Sequence, residues 1–279
     1  MNTFMAKRIS LNTVSYIILI CMAITCLFPL FWMLSSSLKT QDQIFTDMSL
    51  IPKHPHWSNY VDAWTKGDFN IYFLNSLIYT ACSVIGILFI SSLAAYAFAR
   101  LDFPMKNFFY LLLIVTLMIP IPGAFIPLYV LLNKLGLLNT RAGLILCYIN
   151  GGLAFGIFIL RNFFEYLPKD IEDAAKIDGA SKFGIYWRIA LPMARPALAT
   201  LVIFNVLGVW NEFLLALVVL QDKSKMPIQR GLMVFQGTHI TDYPLLMAGI
   251  TIATIPVVIT YIIMQRHIIK GITAGALKQ

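Results

Sequence analysis

Six long apolar blocks dominate this sequence, and they constrain the fold more than any other feature. Five of them contain no charged residue, and the sixth contains only Glu212. An α-helix rises about 1.5 Å per residue, so a block of about 19 residues is long enough to cross about 30 Å of hydrocarbon. The sequence therefore predicts an all-α polytopic membrane protein with six transmembrane helices. The blocks run Val14–Leu34, Ile71–Ala99, Asn107–Leu132, Ala142–Leu160, Pro196–Leu220 and Tyr243–Gln265.

The composition supports a chain whose surroundings are the lipid bilayer. Hydrophobic residues make up 59% of the chain and charged residues only 12%, which is about half the charged share of a soluble domain. The formal net charge is +8, but the basic residues lie between the apolar blocks and form no dense patch with interleaved aromatic residues. This distribution argues against nucleic-acid binding. The cysteines lie inside apolar blocks without a C-x-x-C pair, so no metal site is expected.

The distribution of Lys and Arg predicts the orientation of the chain. Six spans place both termini on one side of the membrane, and that side carries 13 of the 21 Lys and Arg residues. Because the side richer in these residues is normally cytoplasmic, we expect both termini in the cytoplasm and Ser35–Asn70 outside. Lys7 and Arg8 resemble the start of a signal peptide, but the block that follows is too long and has no small-x-small cleavage site. We expect residues 1–279 to form a single transmembrane domain with an uncleaved first span.

Two blocks contain residues that disturb or tighten helix packing. Pro120, Pro122, Gly123 and Pro127 lie within the third block, and proline removes a backbone donor and clashes with the preceding turn. The helix should therefore kink or break there, and the break either lines a solute route or only bends the helix for packing. In the fourth block, the G-x-x-x-G pair Gly152 and Gly156 predicts close approach of a neighbouring helix.

The cytoplasmic loop at residues 162–194, between the fourth and fifth spans, is amphipathic and predicts two short helices. Pro168 suits a first helical turn, Gly179 is a predicted left-handed stop, and Ser181 is a candidate N-cap for the second helix, which Pro192 ends. We expect the pair Ala174 and Ala175 to be exposed on the first helix. Exposed apolar surface of this kind suits a docking partner, and the alternative is a helix lying on the membrane surface.

This loop resembles the "EAA" loop of the permease subunits of binding-protein-dependent ABC importers. The family pattern is Glu-Ala-Ala, three residues, Gly, nine residues and Ile-x-Leu-Pro. This chain has Asp173-Ala174-Ala175, then Gly179, then Ile189-Ala190-Leu191-Pro192 at the same spacing. Asp173 stands where the family has glutamate, and it keeps the charge on a side chain one methylene shorter.

Other stretches extend the resemblance over nearly the whole chain. They are similar to the carbohydrate-importer branch of the family, in its maltose-transporter-like second permease. The resemblance implies a sugar or sugar-like solute and a bacterial cytoplasmic (inner) membrane location. The stretches are Ala95–Pro104, Leu135–Thr140, Trp210–Phe213 and Gly271–Lys278.

The resemblance also implies how the loop works and which partners the chain has. In that family the loop is a coupling helix that sits in a groove on a cytoplasmic ATPase subunit. The contact would be formed by Asp173, Ala174, Ala175 and Gly179, and it would end at Leu191 and Pro192. The implied partners are a second permease subunit in a heterodimer, two ATPase subunits and an extracytoplasmic solute-binding protein.

Sequence motifs that are absent narrow the functional classes. No G-x-x-x-x-G-K-[ST] motif occurs, so ATP should be hydrolysed by a separate polypeptide, and no cofactor is expected in this chain. No G-x-S-x-G or H-E-x-x-H motif occurs either, which argues against a membrane-embedded enzyme. An ion-gradient-driven secondary transporter is the other alternative, but such proteins usually carry several intramembrane acids or repeated halves.

Glu212 is the one acid inside an apolar block, and it lies next to Trp210 and Asn211. An acid in this position should face protein or water. Two roles are open for it, namely lining the solute route or hydrogen-bonding a neighbouring helix. Aromatic and amide side chains together suit a hydroxylated ring, so the three residues are candidates for the solute pathway.

Overall fold

The computed structural model describes residues 2–119, 121–237 and 241–276, without the side chains of residues 2–12, 121–122 and 266–276. Pro120, the side chains of Lys7 and Arg8, and the Gly271–Lys278 side chains lie outside the described residues. Helices make up nearly all of the regular structure in the described ranges, and the β pairing there is an isolated bridge between Gln236 and Thr241. The all-α prediction is therefore confirmed.

The α-helices are numbered in chain order. They are α1 Asn2–Ser37, α2 Gln41–Thr46, α3 Ser58–Thr65, α4 Phe69–Arg100, α5 Lys106–Thr116, α6 Phe125–Lys134, α7 Arg141–Tyr166, α8 Lys169–Ile177, α9 Lys182–Ile185, α10 Leu191–Met193, α11 Arg195–Trp210, α12 Leu214–Val219, α13 Ile228–Gly231 and α14 Tyr243–Ala276.

Four helices among the described residues are long and apolar enough to cross a membrane. They contain Thr13–Ser37, Phe69–Arg100, Arg141–Tyr166 and Tyr243–Gln265, which match four of the predicted blocks. A fifth span exists if Lys182–Met193 and Arg195–Trp210 count together, although the two parts are bent by 73°. The count of six spans stays a prediction, because the third block forms no single long helix.

The third block is broken, as its prolines predict. Its two halves, α5 and α6, have 11 and 10 residues, and a 3₁₀ turn at Ile121–Ala124 lies between them. At about 1.5 Å per residue, neither half alone reaches across 30 Å of hydrocarbon. Pro127 lies in the first turn of α6, where the missing N–H has no helical partner to lose.

The chain divides into two compact units, and the first contains residues 1–69 and 232–254. Its loop after α1 is held by Lys39, whose residue surface is 1% exposed. The Lys39 ammonium donates to the carbonyls of Asp47 and Ser49 at 2.6 and 2.7 Å. The rings of Phe69 and Phe235 are tilted against each other, with centroids 5.2 Å apart. The prediction of a single transmembrane domain over the whole chain stays a prediction.

The second unit contains residues 70–231 and 255–279, and in it α4, α7 and α11 pack closely. A β-carbon placed on Gly152 would lie 2.5 Å from both the Asn205 side-chain oxygen and the Ile87 Cδ1. A β-carbon placed on Gly156 would lie 2.9 Å from the Ser91 side chain. The predicted close approach at this glycine pair is therefore confirmed, and it joins α7 to the two neighbouring helices.

Candidate ATPase-coupling loop and solute-route residues

The loop that carries the family-like pattern begins where α7 ends. Leu167 and Pro168 have ψ values of 137° and 126°, so the chain is extended for two residues before α8 starts. Asp170 and Glu172 lie in the first turn of α8, and Lys176 lies in its last turn. This distribution of charge is favourable for the helix dipole.

The two faces of α8 have different surroundings. Glu172 and Ala175 are buried, with exposures of 7% and 9%, whereas Asp173 and Ala174 are exposed. The prediction that Ala175 is exposed is therefore wrong. The reason is helical spacing, since residues three apart share a face and Glu172 is drawn toward Arg100, with its carboxylate 2.8 Å from the Arg100 Nε. Ala174 is thus the small residue of the pair that a partner can reach.

Asp173 is exposed and paired within its own helix. The Lys176 ammonium donates to its carboxylate at 2.7 Å. This hydrogen bond, followed by the charge of Lys176, holds the pKa of Asp173 below its usual value. The carboxylate is therefore ionised at neutral pH and available on the surface of α8.

Gly179 ends α8 in the left-handed conformation that the sequence predicts, with φ at +79°. The Ala180 N–H donates to the Ala175 carbonyl at 2.9 Å, and the Gly179 N–H donates to the Lys176 carbonyl at 3.0 Å. This pair of bonds is a Schellman motif, which satisfies the last carbonyls of a helix and turns the chain sharply. Gly179 thus sets the angle at which the second half of the loop leaves α8.

The second half of the loop starts at Ser181, as predicted. The Ser181 hydroxyl accepts from the Gly184 N–H at 3.1 Å and caps α9. A π turn follows at Tyr186–Ala190.

Pro192 does not end this helix, which corrects the prediction. The chain stays helical through Met193, and the 73° bend to α11 lies at Ala194. The π turn lies where the proline ring would otherwise meet the preceding helical turn, so the widened turn accommodates it. Leu191 is half-buried and Pro192 is exposed.

Exposed apolar side chains follow the outer surface of both halves of the loop. Ile177 is 87% exposed, Phe183 64% and Trp187 51%. Phe183 and Trp187 stack with centroids 6.3 Å apart, so they present one flat aromatic surface. Together with Ala174, these are the exposed apolar residues of the two loop halves that we consider further, and we call this set the loop surface.

Glu212 holds a broken helix in place. The chain leaves the helix after Trp210 and re-enters it at Leu214. The Glu212 carboxylate accepts from the N–H groups of Leu215 and Ala216 at 2.6 and 3.1 Å, so it caps α12. It also accepts from the Tyr148 hydroxyl of α7 at 2.9 Å. These contacts favour the second of its two predicted roles, a hydrogen bond to a neighbouring helix.

The other two candidate pathway residues, Trp210 and Asn211, differ in how far their side chains are exposed. Trp210 is 3% exposed and its ring lies against Phe73, with centroids 5.7 Å apart. Asn211 is exposed, donates to the Leu207 carbonyl at 2.9 Å and accepts from Gln229 at 3.3 Å. The structure thus brings Glu212 to α7 and leaves Asn211 as the accessible polar residue of the three.

A cavity of about 480 Å³ lies beside the broken third block. It is lined by residues from both halves of that block and from α7, so the break borders this cavity. The lining is mainly apolar, and its polar groups come from few side chains. Among the residues that line it are Thr116, Leu128, Leu132, Cys147, Asn150 and Gly151.

Comparison with known proteins decides the family. Residues 86–274 match the model of the binding-protein-dependent transport system inner membrane component. This match includes α8, Gly179 and the Trp210–Glu212 segment. The chain belongs to that family. It is a membrane permease subunit of an importer and not an enzyme.

Relatives and solved structures agree with this assignment. The diacetylchitobiose uptake system permease protein of Streptomyces coelicolor is 36% identical over 267 residues, covering 95% of this chain and 88% of the relative. The probable starch degradation products transport system permease protein of Thermoanaerobacterium thermosulfurigenes is 34% identical over 251 residues, covering 90% and 91%. A bacterial ABC transporter involved in the import of the acidic polysaccharide alginate has a chain of TM-score 0.82 and 25% identity, covering 91% of this chain and 95% of that one.

Two residues of this permease that the sequence did not single out are central to the geometry. Arg100 pairs with Glu172 at 2.8 Å, and Tyr148 binds Glu212. Arg100 stands directly after the second apolar block, inside the stretch Ala95–Pro104 that carries part of the resemblance. A charged residue directly after an apolar block could have been noted as a candidate functional residue. Its partner Glu172 lies on another helix, so local sequence spacing does not predict the pair.

Replacing Glu212 with glutamine should destabilise the permease. In Glu212→Gln, an NH₂ group, which donates hydrogen bonds, replaces one of the two oxygens that together accept three of them. We therefore expect a loss of about 1–3 kcal/mol in unfolding free energy. Tyr148→Phe removes only the bond between helices and should cost about 1 kcal/mol. Thermal unfolding of both purified variants measures the difference. An unchanged midpoint for Glu212→Gln together with a raised KM for uptake would favour the solute-route role instead.

Proposed function

We propose that this permease is one of two membrane subunits of an ATP-driven importer for oligosaccharides or related sugars. It would form half of the solute route, with a second, different permease forming the other half. The relatives named for diacetylchitobiose and for starch degradation products support this solute class, as does the similar chain of the alginate importer. Diacetylchitobiose and the polysaccharide alginate in these names are sugars of more than one unit.

The observation that carries the proposal is the loop surface. A surface made of Ala174, Ile177, Phe183 and Trp187 would be unfavourable in water, because apolar area of this kind is normally covered. We infer that a groove on a cytoplasmic ATPase subunit covers it. The small side chain of Ala174 lets the groove approach the backbone of α8, and the ionised Asp173 is placed to meet a cation at its edge.

The remaining partners and the orientation follow from the same proposal. Two ATPase subunits would bind and hydrolyse ATP in the cytoplasm, so the permease itself needs no cofactor. An extracytoplasmic solute-binding protein would deliver the sugar to the opposite side, as the family description indicates. Both termini and residues 162–194 would then be cytoplasmic, in agreement with the bias in Lys and Arg.

The test is reconstitution of the importer in vesicles, with each subunit omitted in turn. We expect uptake only when ATP, both permeases, the ATPase and the binding protein are all present. Ala174→Glu should also reduce co-purification of the ATPase, because it places bulk and charge on the loop surface. Asp173→Glu is the matched control, since it keeps the charge and restores the residue of the family pattern. ATP-dependent uptake by vesicles that hold this chain alone would refute the proposal.

A further inference from the structure

One guanidinium group joins three elements at the end of α4. Arg100 is the last residue of this 32-residue helix. Its Nε lies 2.8 Å from the Glu172 carboxylate of α8, and its Nη2 donates to the carbonyl of Leu167, directly after α7. The side chains of Arg100 and Glu172 are only 6% and 9% exposed. The contact is therefore a buried ion pair that connects separate helices.

The other ion pairs among the described side chains do not have this geometry. The pairs Arg161–Glu165 and Lys176–Asp173 each lie within one turn of one helix, and their acidic partners are 40% and 60% exposed. Exposed pairs of that kind contribute little to stability. A buried pair also contributes little in comparison with well-packed apolar side chains, but removing one partner is strongly destabilising, because it leaves the other charge buried and unpaired.

The face of α4 that ends at Arg100 also contacts the second half of the loop. Ser92, Tyr96 and Arg100 are four residues apart and share one stripe of the helix. The Ser92 hydroxyl lies 2.8 Å from the Tyr186 hydroxyl, and the Tyr96 and Tyr186 rings have centroids 5.3 Å apart. The same stripe therefore contacts the α8 half of the loop through Arg100 and the π turn through Tyr96.

The two faces of α8 connect the loop surface with the Arg100–Glu172 pair. Its outer face belongs to the loop surface, and its inner face is held by Glu172 and Ala175. A helix of nine residues is marginal by itself, so contacts with the rest of the chain set its position. Packed interfaces between helices change by switching between discrete arrangements and do not deform continuously.

We propose that Arg100 is a positioning residue that fixes the coupling helix α8 to the cytoplasmic end of α4. A displacement of α8 by the ATPase is then transmitted to α4 through the Arg100–Glu172 pair. This inference rests on the proposed docking of the loop on an ATPase subunit. It adds a specific residue pair through which docking reaches a membrane-spanning helix.

The test compares variants in the reconstituted importer at matched amounts of complex. Glu172→Gln should lower the amount of sugar taken up per ATP hydrolysed by about tenfold, while the ATPase still co-purifies. Glu165→Gln is the matched control, because it breaks a same-helix pair at the same end of the permease, and its ratio should stay unchanged. If the pair had a purely structural role, Glu172→Gln would lower the yield of purified complex but would leave the uptake per ATP hydrolysed unchanged.

A second variant guards against loss of folding. Arg100→Met with Glu172→Met removes both charges, so no buried charge is left unpaired. It should assemble normally and still show the reduced ratio. A normal ratio in this double variant, or in Glu172→Gln, would overturn the role of Arg100. If the ATPase fails to co-purify even with the unaltered permease, the proposed docking itself is wrong.

Discussion

Replacing Gly179 with valine should separate ATP hydrolysis from sugar uptake. Gly179 has φ at +79°, a conformation that costs a residue with a β-carbon about 1–2 kcal/mol and a β-branched residue more. Nothing lies within 4 Å of the position where a β-carbon would stand, so the strain is in the backbone and not in a clash. Relief of that strain would change the angle between α8 and α9. We expect near-normal insertion of the permease with little uptake per ATP hydrolysed.

Gly136 provides a matched control for this experiment. It has φ at +68°, and nothing lies within 4 Å of its β-carbon position either. It lies between α6 and α7, away from residues 162–194. Gly136→Val therefore introduces the same kind of backbone strain without touching the loop, and uptake per ATP should stay near normal. Equal loss of this ratio in both variants would mean that strain alone, and not the geometry of the loop, causes the defect.

Replacing Gly152 with leucine should cause a large loss of stability. The first carbon of the new side chain would already lie 2.5 Å from the Asn205 oxygen and from Ile87, and Asn205 is itself buried and bonded to the Leu201 carbonyl. Overpacking of this kind typically costs about 1–3 kcal/mol, and separation of the helices would cost more. We expect a lower thermal midpoint and less folded permease in the membrane, measured by size-exclusion chromatography after heating.

Gly151, the neighbouring glycine, tests whether the loss of stability depends on the position or only on replacing a glycine with leucine. Gly151 lies in the same helix, and nothing lies within 4 Å of its β-carbon position. Gly151→Leu gives the same increase in size and helix propensity, but it points toward the cavity beside the third block. Its midpoint should equal or exceed that of the unaltered protein. A similar loss in both variants would contradict the close packing of α7 against α4 and α11.

The positions of the spans could be predicted from sequence because every residue of a block that lies in hydrocarbon has to be uncharged. The predicted block Ala142–Leu160 lies inside α7, and the helix continues past it to Tyr166. The extra turns contain Arg161 and Glu165, which pair at 2.8 Å. A charged residue ends the part of a helix that can lie in hydrocarbon, but it does not end the helix itself. The length of a charge-free block is therefore smaller than the length of the helix.

The candidate site could be predicted only where the relevant interactions are local. Gly179 and Ser181 were predicted correctly because a helix stop and an N-cap depend on adjacent residues. The burial of Ala175 was missed because it depends on Arg100, which is distant in sequence. The helix break after Trp210 was missed for a similar reason, since the cap that Glu212 provides is strengthened by Tyr148 on another helix.

The apolar part of α1 from residue 13 to residue 34 is largely exposed, which determines how substitutions there are interpreted. In its span Thr13–Ser37, none of the most apolar stretch is buried against the rest of the chain. Exchanging one apolar residue for another in that stretch therefore alters no buried side chain of the permease. A defect caused by such an exchange would therefore reflect a changed contact with lipid or with another subunit. Substitutions in this stretch of α1 can thus show what surrounds the helix in the assembled importer.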